Sequence, residues 1–449
     1  MATKTFNNDF MRTMEVTPLI LSMSLPMVFS MLVNSLYNIV DSFFVARISE
    51  DAMTALSLVF PIQNLVHSIA VGFGVGINAV IAFHTGAGNS KAADKAASQG
   101  LFLSVLHSLI LTVICIAIMP SFLSSFTSAE EIVSMGVRYS TVVFSFTLIN
   151  LPGITFEKIF QSVGRMKVSM VALASGCIAN IILDPLFIFG IGPFPEWGIE
   201  GAAFATGLGQ LIALSVYLVT YRVRPMSVKV RMKLMKPELK MARSLYSIGI
   251  PAALNIALPS VLVSVFNAML AAYSDTYTLV LGIYYKLQTF LYLPASGFVQ
   301  GMRPIIGYNK GAGEHVRVRK IFISVLIMCA FIMLFGTVLS LAVPQSLVAL
   351  FTDNPQTIQI GARAIRIISI GFVVSAISVT ASGALEGLGK GMASLWISLC
   401  RYIIVIIPVA YLLSILFGLG PDGIWYSFPV AEFLTALASI VIYKRTAES

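Results

Sequence analysis

The chain has 449 residues, of which 57% are hydrophobic and only 11% charged. A soluble domain of that length could not cover itself with so little polar surface, so composition excludes a soluble globular protein. The formal net charge of +9 does not point to a nucleic-acid partner, because the basic residues fall in short breaks between apolar runs rather than on one face.

Residues 1–16 are polar and lack a short apolar core followed by a small-residue cleavage site. The first apolar stretch, from Thr17, is therefore expected to remain as a membrane span. About 20 apolar residues carry a helix across the hydrocarbon core. Breaking the chain at polar and Gly/Pro-rich points predicts twelve such spans: 17–47, 53–81, 96–119, 135–155, 166–190, 199–221, 244–272, 277–301, 319–343, 362–384, 392–417 and 424–443. Most of the 29 Lys and Arg residues fall on one side of this arrangement, including the run from Arg222 to Arg243. The opposite loops collect acids, among them Glu50, Asp51, Glu130, Glu131, Glu196, Glu200, Asp275, Asp353 and Asp422. Basic loops stay in the cytoplasm, which predicts a multi-pass protein of the cell membrane with both termini inside. Cys115, Cys177, Cys329 and Cys400 all lie in apolar runs without pairing or metal-ligand spacing, and read as small buried hydrophobes.

The twelve spans are two copies of six. Sliding the chain by 225 residues carries Pro26 onto Pro251, Gly72 onto Gly297, Gly76 onto Gly301 and the triplet Gly86-Ala87-Gly88 onto Gly311-Ala312-Gly313. The register then holds from Phe126-Thr127 on Phe351-Thr352, through Gly164 on Gly389, to Gly198-Ile199 on Gly423-Ile424. Because six is even, the second copy starts on the same side as the first. Such parallel repeats are a transporter architecture in which substrate is handled between the halves. The predicted fold is an all-α integral membrane protein with twelve transmembrane helices in two parallel six-helix lobes, related by a pseudo-two-fold axis along the membrane normal. The N-lobe is expected over 1–221, a basic cytoplasmic linker over 222–243 and the C-lobe over 244–449.

Ionisable residues inside spans are costly and mark function. In the first span Asn34, Tyr37, Asn38 and Asp41 share a face by three-and-four spacing, and in the fifth Asn180 and Asp184 do the same. Ala202 and Thr206 repeat the spacing in the sixth span, with Thr206 offering a hydroxyl. The second copy replaces this set: Asp41 corresponds to Phe266, Tyr139 to Ala364, Asn180 to Val405, Asp184 to Val409 and Thr206 to Ala431. The scaffold repeats while the polar cluster does not, so a site is expected in the first half alone. Two carboxylates, an amide and hydroxyls in a low-dielectric setting suit one of two jobs. They can coordinate a hard cation such as Na⁺, with Asp41, Asn180, Asp184 and Thr206 as oxygen ligands, or one carboxyl can carry a proton. Candidates for a substrate cavity are Asn34, Tyr37 and Asn38 on the face of the first span, Gln63 and His67 on one face of the second span, Lys286 in the eighth and Glu432 in the last. Glu386 and Lys390, four apart near a span end, read as an exposed ion pair. Gly72, Gly74 and Gly76 lie within an apolar run with no preceding strand, so they read as close helix packing rather than a dinucleotide loop. No nucleophile elbow, phosphate loop or zinc signature is present, which argues against an enzyme.

These residues together resemble the multidrug and toxic compound extrusion (MATE) transporters, and within them the DinF-like branch. The resemblance covers essentially the whole chain. It is carried by Pro26 followed by Asp41, by Gly72 and Gly76 leading to Gly86-Ala87-Gly88-Asn89, by Asn180 through Pro185, by Gly198 through Ala203, and by Pro304 through Gly313. It implies an antiporter that exports small, often cationic and amphipathic organic molecules by alternating access, in exchange for inward H⁺ or Na⁺. It places the coupling-ion site on Asp41, Tyr139, Asn180, Asp184, Ala202 and Thr206, and a bend of the first helix at Pro26. No cofactor and no nucleic acid are expected, and the expected partners are drug-like molecules and the lipid bilayer around a monomer. The alternative is a flippase for a lipid-linked polar headgroup, which would need a strongly charged central cavity.

Overall fold

The structure, a computed structural model, describes residues 9–447. The expectation for the two termini therefore falls partly on residues 1–8 and 448–449, outside the described residues. Twelve long helical spans run in chain order: α1 Val16–Ala46, α2 Glu50–Gly86, α3 Ser90–Ser124, α4 Glu130–Ser162 (broken at Phe146), α5 Met166–Phe189, α6 Gly198–Val223, α7 Leu239–Ala271, α8 Asp275–Gly311, α9 His315–Ala342, α10 Pro355–Gly387 (broken at 370–371), α11 Gly391–Leu416 and α12 Pro421–Ala447. Nine of these helices are long and apolar enough to cross a membrane alone, and the two bent pairs α4 and α10 each pass as one span. The remaining span, α8, matches α2 in length at 37 residues but carries Lys286, Gln288, Thr289 and Arg303. A broad belt of exposed side chains such as Val113, Val219, Phe331 and Phe335 faces outward, as a lipid-solvated surface requires.

The repeat read from sequence is the repeat of the fold. Span starts at residues 50, 90, 130, 147 and 166 have counterparts at 275, 315, 355, 372 and 391. Even the breaks correspond: α4 bends by 43° and α10 by 56° at the same point of the repeat. Local chemistry sets the ends. Ser49 caps α2 by accepting from the Ala52 N–H, and Ser274, its counterpart, caps α8 by accepting from Thr276 N–H. Acids in the first turn of each helix suit the positive end of its dipole. At the opposite ends, Gly88 and Gly313 turn the chain with φ of +70° and +77°, a left-handed conformation that costs glycine nothing.

Close glycine approaches join the lobes, and they obey the same pseudo-symmetry. A Cβ on Gly72 would fall 2.3 Å from the Ala253 backbone, and one on Gly76 2.4 Å from the Leu245 carbonyl, so α2 lies directly on α7. The counterparts Gly297 and Gly301 press equally close on Val28 and Ser24, so α8 lies on α1. Gly86 meets the Tyr308 carbonyl and Gly311 the Phe83 carbonyl, the same contact made twice across the axis. All of these lie in the halves of the helices nearest the basic loops, so the lobes are closed at their basic end. The short helix Phe10–Thr13 bridges the lobes there. Met11 is fully buried, its carbonyl accepts from Asn309 Nδ2 (3.0 Å) and Arg317 Nε (3.2 Å), and Arg12 pairs with Glu314 at 2.8 Å.

The basic segment between α6 and α7 is packed rather than loose. Asp94 of α3 is buried and accepts from the Lys229 N–H at 2.7 Å, and it pairs with Arg231 Nε at 3.2 Å. Gln99 donates to the Lys236 carbonyl (2.7 Å) and accepts from the Glu238 N–H (3.1 Å), while Lys95 pairs with Glu238. Val228 and Met226 are buried among α3 and α4 side chains. Asp94→Ala removes the acceptor of the Lys229 N–H, a part-buried bond to a charged group, and is expected to cost about 1–2 kcal/mol. A lowered midpoint of thermal unfolding in detergent would register that loss, and an unchanged midpoint would show the clasp to be idle.

Candidate ion and substrate site in the N-lobe

Four helices of the N-lobe bring the sequence-predicted cluster together, and α2 adds to it. Asn180 of α5 donates through Nδ2 to Asp184 Oδ1 one turn later (3.1 Å) and to Thr206 Oγ of α6 (3.3 Å). Tyr37 of α1 meets the same Thr206 hydroxyl at 3.4 Å. Gln63 of α2 donates to the Tyr139 hydroxyl of α4 at 3.3 Å. Asp184, Asn180, Ala202 and Tyr139 are buried, and Asp41 is close enough to Asp184, Tyr37 and Tyr139 to act on each electrostatically. Of the substrate-cavity candidates, Tyr37 thus joins the hydrogen-bond network of Asp184 through Thr206 and Asn180, while Gln63 pairs with Tyr139.

What the network leaves open is oxygen. Asp41 Oδ1, Asn180 Oδ1 and Asp184 Oδ2 are buried without a hydrogen-bond partner. A buried acceptor with no donor costs about 1–3 kcal/mol, and more when charged. The N-lobe therefore holds a neutral-oxygen and carboxylate set whose unused capacity suits a proton or a hard cation. The C-lobe counterpart is hydrocarbon: Phe266 is fully buried and packs edge-on against Phe428 at 5.5 Å, and Ala364 and Ala431 are buried beside it.

The other candidates spread apart. Asn34 and Asn38 lie on an exposed face of α1, where Asn38 Nδ2 donates to the Asn34 carbonyl (2.9 Å). His67 is exposed, with Glu157 and Lys158 of α4 as its charged neighbours. Lys286 is exposed and lies over the Phe351 ring at 5.8 Å, toward the acidic end. Glu432 is buried and paired with Arg401, a residue that the rule about charges within spans would have picked out in the eleventh span. Pro26 sits inside a continuous helix, and Ser30 Oγ donates to its carbonyl at 2.8 Å. One expectation is corrected. Glu386 is not in an exposed pair with Lys390; it is buried and bonds Arg303 (2.7 Å), Asn255 (2.9 Å) and Ser394 (3.2 Å). The bend of α10 carries its last turns inward, against α8 and α7, and away from solvent.

Comparison with known proteins follows the same outline. The FAD transporter of Shewanella oneidensis is 28% identical over 439 residues, covering 96% of this chain and 94% of that protein. The multidrug export protein MepA of Staphylococcus haemolyticus is 27% identical over 423 residues, covering 94% of this chain and 92% of its own length. Among solved structures, an outward-facing multidrug resistance MATE transporter of the MOP superfamily superposes with a TM-score of 0.93 at 22% identity, covering 100% of this chain and 99% of that one. A MOP superfamily transporter from Pyrococcus furiosus gives 0.92 at 21%, covering 100% and 99%. The family model MatE matches twice, over residues 26–186 and 251–412, its two starts falling on Pro26 and Pro251. Matched over both lobes, with twelve helices in the arrangement of its solved neighbours, this chain belongs to the MatE family of multi-pass membrane transporters.

Proposed function

We propose that the protein exports small organic molecules across the cell membrane in exchange for an inward monovalent cation, H⁺ or Na⁺. The observation that carries this reading is the set of partnerless buried oxygens on Asp41, Asn180 and Asp184. A bound cation would satisfy them, with Thr206 and the backbone of Ala202 completing the oxygen set and Tyr139 holding Asp41's surroundings. An ion drives a conformational change only through different affinities for the two states. The first helix offers the lever. Ser24 and Val28 are clamped against Gly301 and Gly297 of the other lobe; Pro26 lies between them, and Asp41 rides on the half beyond. Pro26 lacks the N–H that would lock the turn, so a change of charge at Asp41 is relayed as a bend at the lobe interface.

The basic loops support placing both termini in the cytoplasm. The basic-end closure then leaves the space between the lobes open to the outside in this conformation. The relatives' names, a multidrug exporter and an FAD transporter, support small organic molecules as cargo. A monomer is sufficient for this mechanism.

The test uses inverted or intact vesicles loaded with a fluorescent cationic dye and energised separately by a pH gradient and by a Na⁺ gradient. Efflux driven by either gradient supports the reading and names the ion. No efflux under either would overturn it in favour of the headgroup flippase.

A further inference from the structure

The C-lobe carries an unpaired cation inside a span where the repeat gives the N-lobe none. Arg366 lies on a face of α10 that also holds Gln359, Arg363 and Ile370 at three-and-four spacing. All four are exposed, while Ala364 and Ile368 on the other side of the helix pack into the core. Arg363 pairs with Asp422 of α12 at 2.5 Å. Among the described residues Arg366 makes neither a hydrogen bond nor an ion pair. A lone charge inside a span is costly, so its partner has to be sought outside the chain. The shift of 225 puts Thr141 in the place of Arg366, Ser134 in that of Gln359 and Gly201 in that of Tyr426.

Arg366 opens into a groove of about 610 Å³ lined also by Gln345, Gln359, Arg363 and Tyr426. Among the described residues no acid lines it, and Asp422 beside it is committed to Arg363. The floor is α10, and the walls are the short helix Pro344–Ala349 after α9 and the start of α12. The lobes meet through α1, α2, α7 and α8, and none of these lines the groove. Toward the middle of the span the polar lining gives way to hydrocarbon. There Thr337 of α9 donates to the Ser369 carbonyl at 3.0 Å, and a Cβ on Gly371 would fall 3.1 Å from the Pro429 backbone of α12. Helices α9, α10 and α12 therefore lie side by side at this depth, where Val338, Ile370, Val430 and Phe433 are exposed. A guanidinium with amide and phenol groups around it thus sits about one turn outward of an apolar strip. A phospholipid has the same profile, an anionic phosphate in the headgroup layer above its acyl chains. The N-lobe lacks both features, since a Cβ at Gly201 would already fall 2.3 Å from the Phe187 carbonyl.

We propose that this groove binds one phospholipid, with its phosphate on Arg366 and an acyl chain on the strip of Val338, Ile370, Val430 and Phe433. The planar guanidinium fork suits a phosphate, and Gln345 and Gln359 offer amide donors at the rim. The phosphate neutralises a charge that stands one turn before the bend of α10. This site does not depend on ion coupling, and its test needs no gradient.

The experiment is native mass spectrometry of the full-length protein, delipidated in detergent and titrated with dioleoylphosphatidylglycerol. A parallel titration uses dioleoylglycerol, which has the same chains and no phosphate. Saturable retention of one phosphatidylglycerol, about tenfold tighter than the diacylglycerol, is the expected result. Arg366→Gln should weaken phosphatidylglycerol about tenfold and leave the diacylglycerol unmoved. Arg138→Gln, on the N-lobe counterpart of Arg363, should change neither. Should Arg366→Gln fail to fold, Gln359→Ala decides, with an expected loss of about threefold. Equal retention of both lipids, full phosphatidylglycerol affinity in the groove variants, or an equal loss in Arg138→Gln would each overturn the proposal. Displacement of the lipid by millimolar inorganic phosphate would overturn it in favour of a site for free anions.

Discussion

Asp41→Asn is expected to reduce gradient-driven efflux by about a hundredfold or more, and Asp184→Asn to do the same. Asparagine keeps the shape and one acceptor oxygen of the side chain, so packing in α1 and α5 should survive. What it loses is a charge that can be reversibly neutralised. Without that charge the ion has no differential affinity for the two states and cannot bias one over the other. The folded protein should be no less stable, because two carboxylates close together in a low-dielectric setting repel each other and one amide removes the repulsion. Unchanged size-exclusion and thermal-unfolding behaviour, paired with lost efflux, is the expected pattern. Thr206→Val makes the contrast: it removes one oxygen that accepts from Asn180 and meets Tyr37. It should weaken the ion dependence by about tenfold and leave coupling intact. If Asp41→Asn transports fully with the same ion dependence, the N-lobe cluster is a structural network and the coupling site lies elsewhere.

Gly86→Ala and Gly311→Ala should each block closure of the basic end, and with similar severity. A Cβ at Gly86 would sit 1.9 Å from the Tyr308 carbonyl, and one at Gly311 2.0 Å from that of Phe83. Both obstacles are backbone atoms of the other lobe, so no side-chain rotation relieves them and the helices must separate. The fold within each lobe is untouched, because the contact is made only between lobes. Efflux should fall by at least about tenfold, since a cycle that cannot close one end cannot alternate. Spin labels placed on the two lobes near residues 88 and 313 should report a longer distance in both variants than in the parent protein. Gly88→Ala is the control. It has open space around it but a φ of +70°, so its cost is a local strain of about 1 kcal/mol and the interlobe distance should not change. An unchanged distance in Gly86→Ala and Gly311→Ala would show that the closed basic end is not part of the cycle.

By itself the sequence determined the membrane class, the twelve spans, the 225-residue register and the acids that stand inside spans. Each of these is written in local spacing: apolar length fixes a span, three-and-four periodicity fixes a face, and repeated Gly and Pro fix the points where helices turn, bend or touch. Asn180 and Asp184 were legible as a pair for that reason, being one turn apart on one helix. Partners drawn from different helices were not legible. Glu386 read as the neighbour of Lys390 by spacing, yet it bonds Asn255, 131 positions away, because α10 bends by 56° and turns that face inward. Arg401 gave no sign of its partner for the same reason; only the packing of α11 on α12 brings it to Glu432. The tertiary structure likewise decided which oxygens of the N-lobe cluster go unpaired and which backbone each glycine meets. A periodic pattern says which way a side chain faces along its own helix. What stands opposite is set by how helices distant in sequence pack against one another, and burial in a low-dielectric interior then gives each met or unmet polar group its energetic weight.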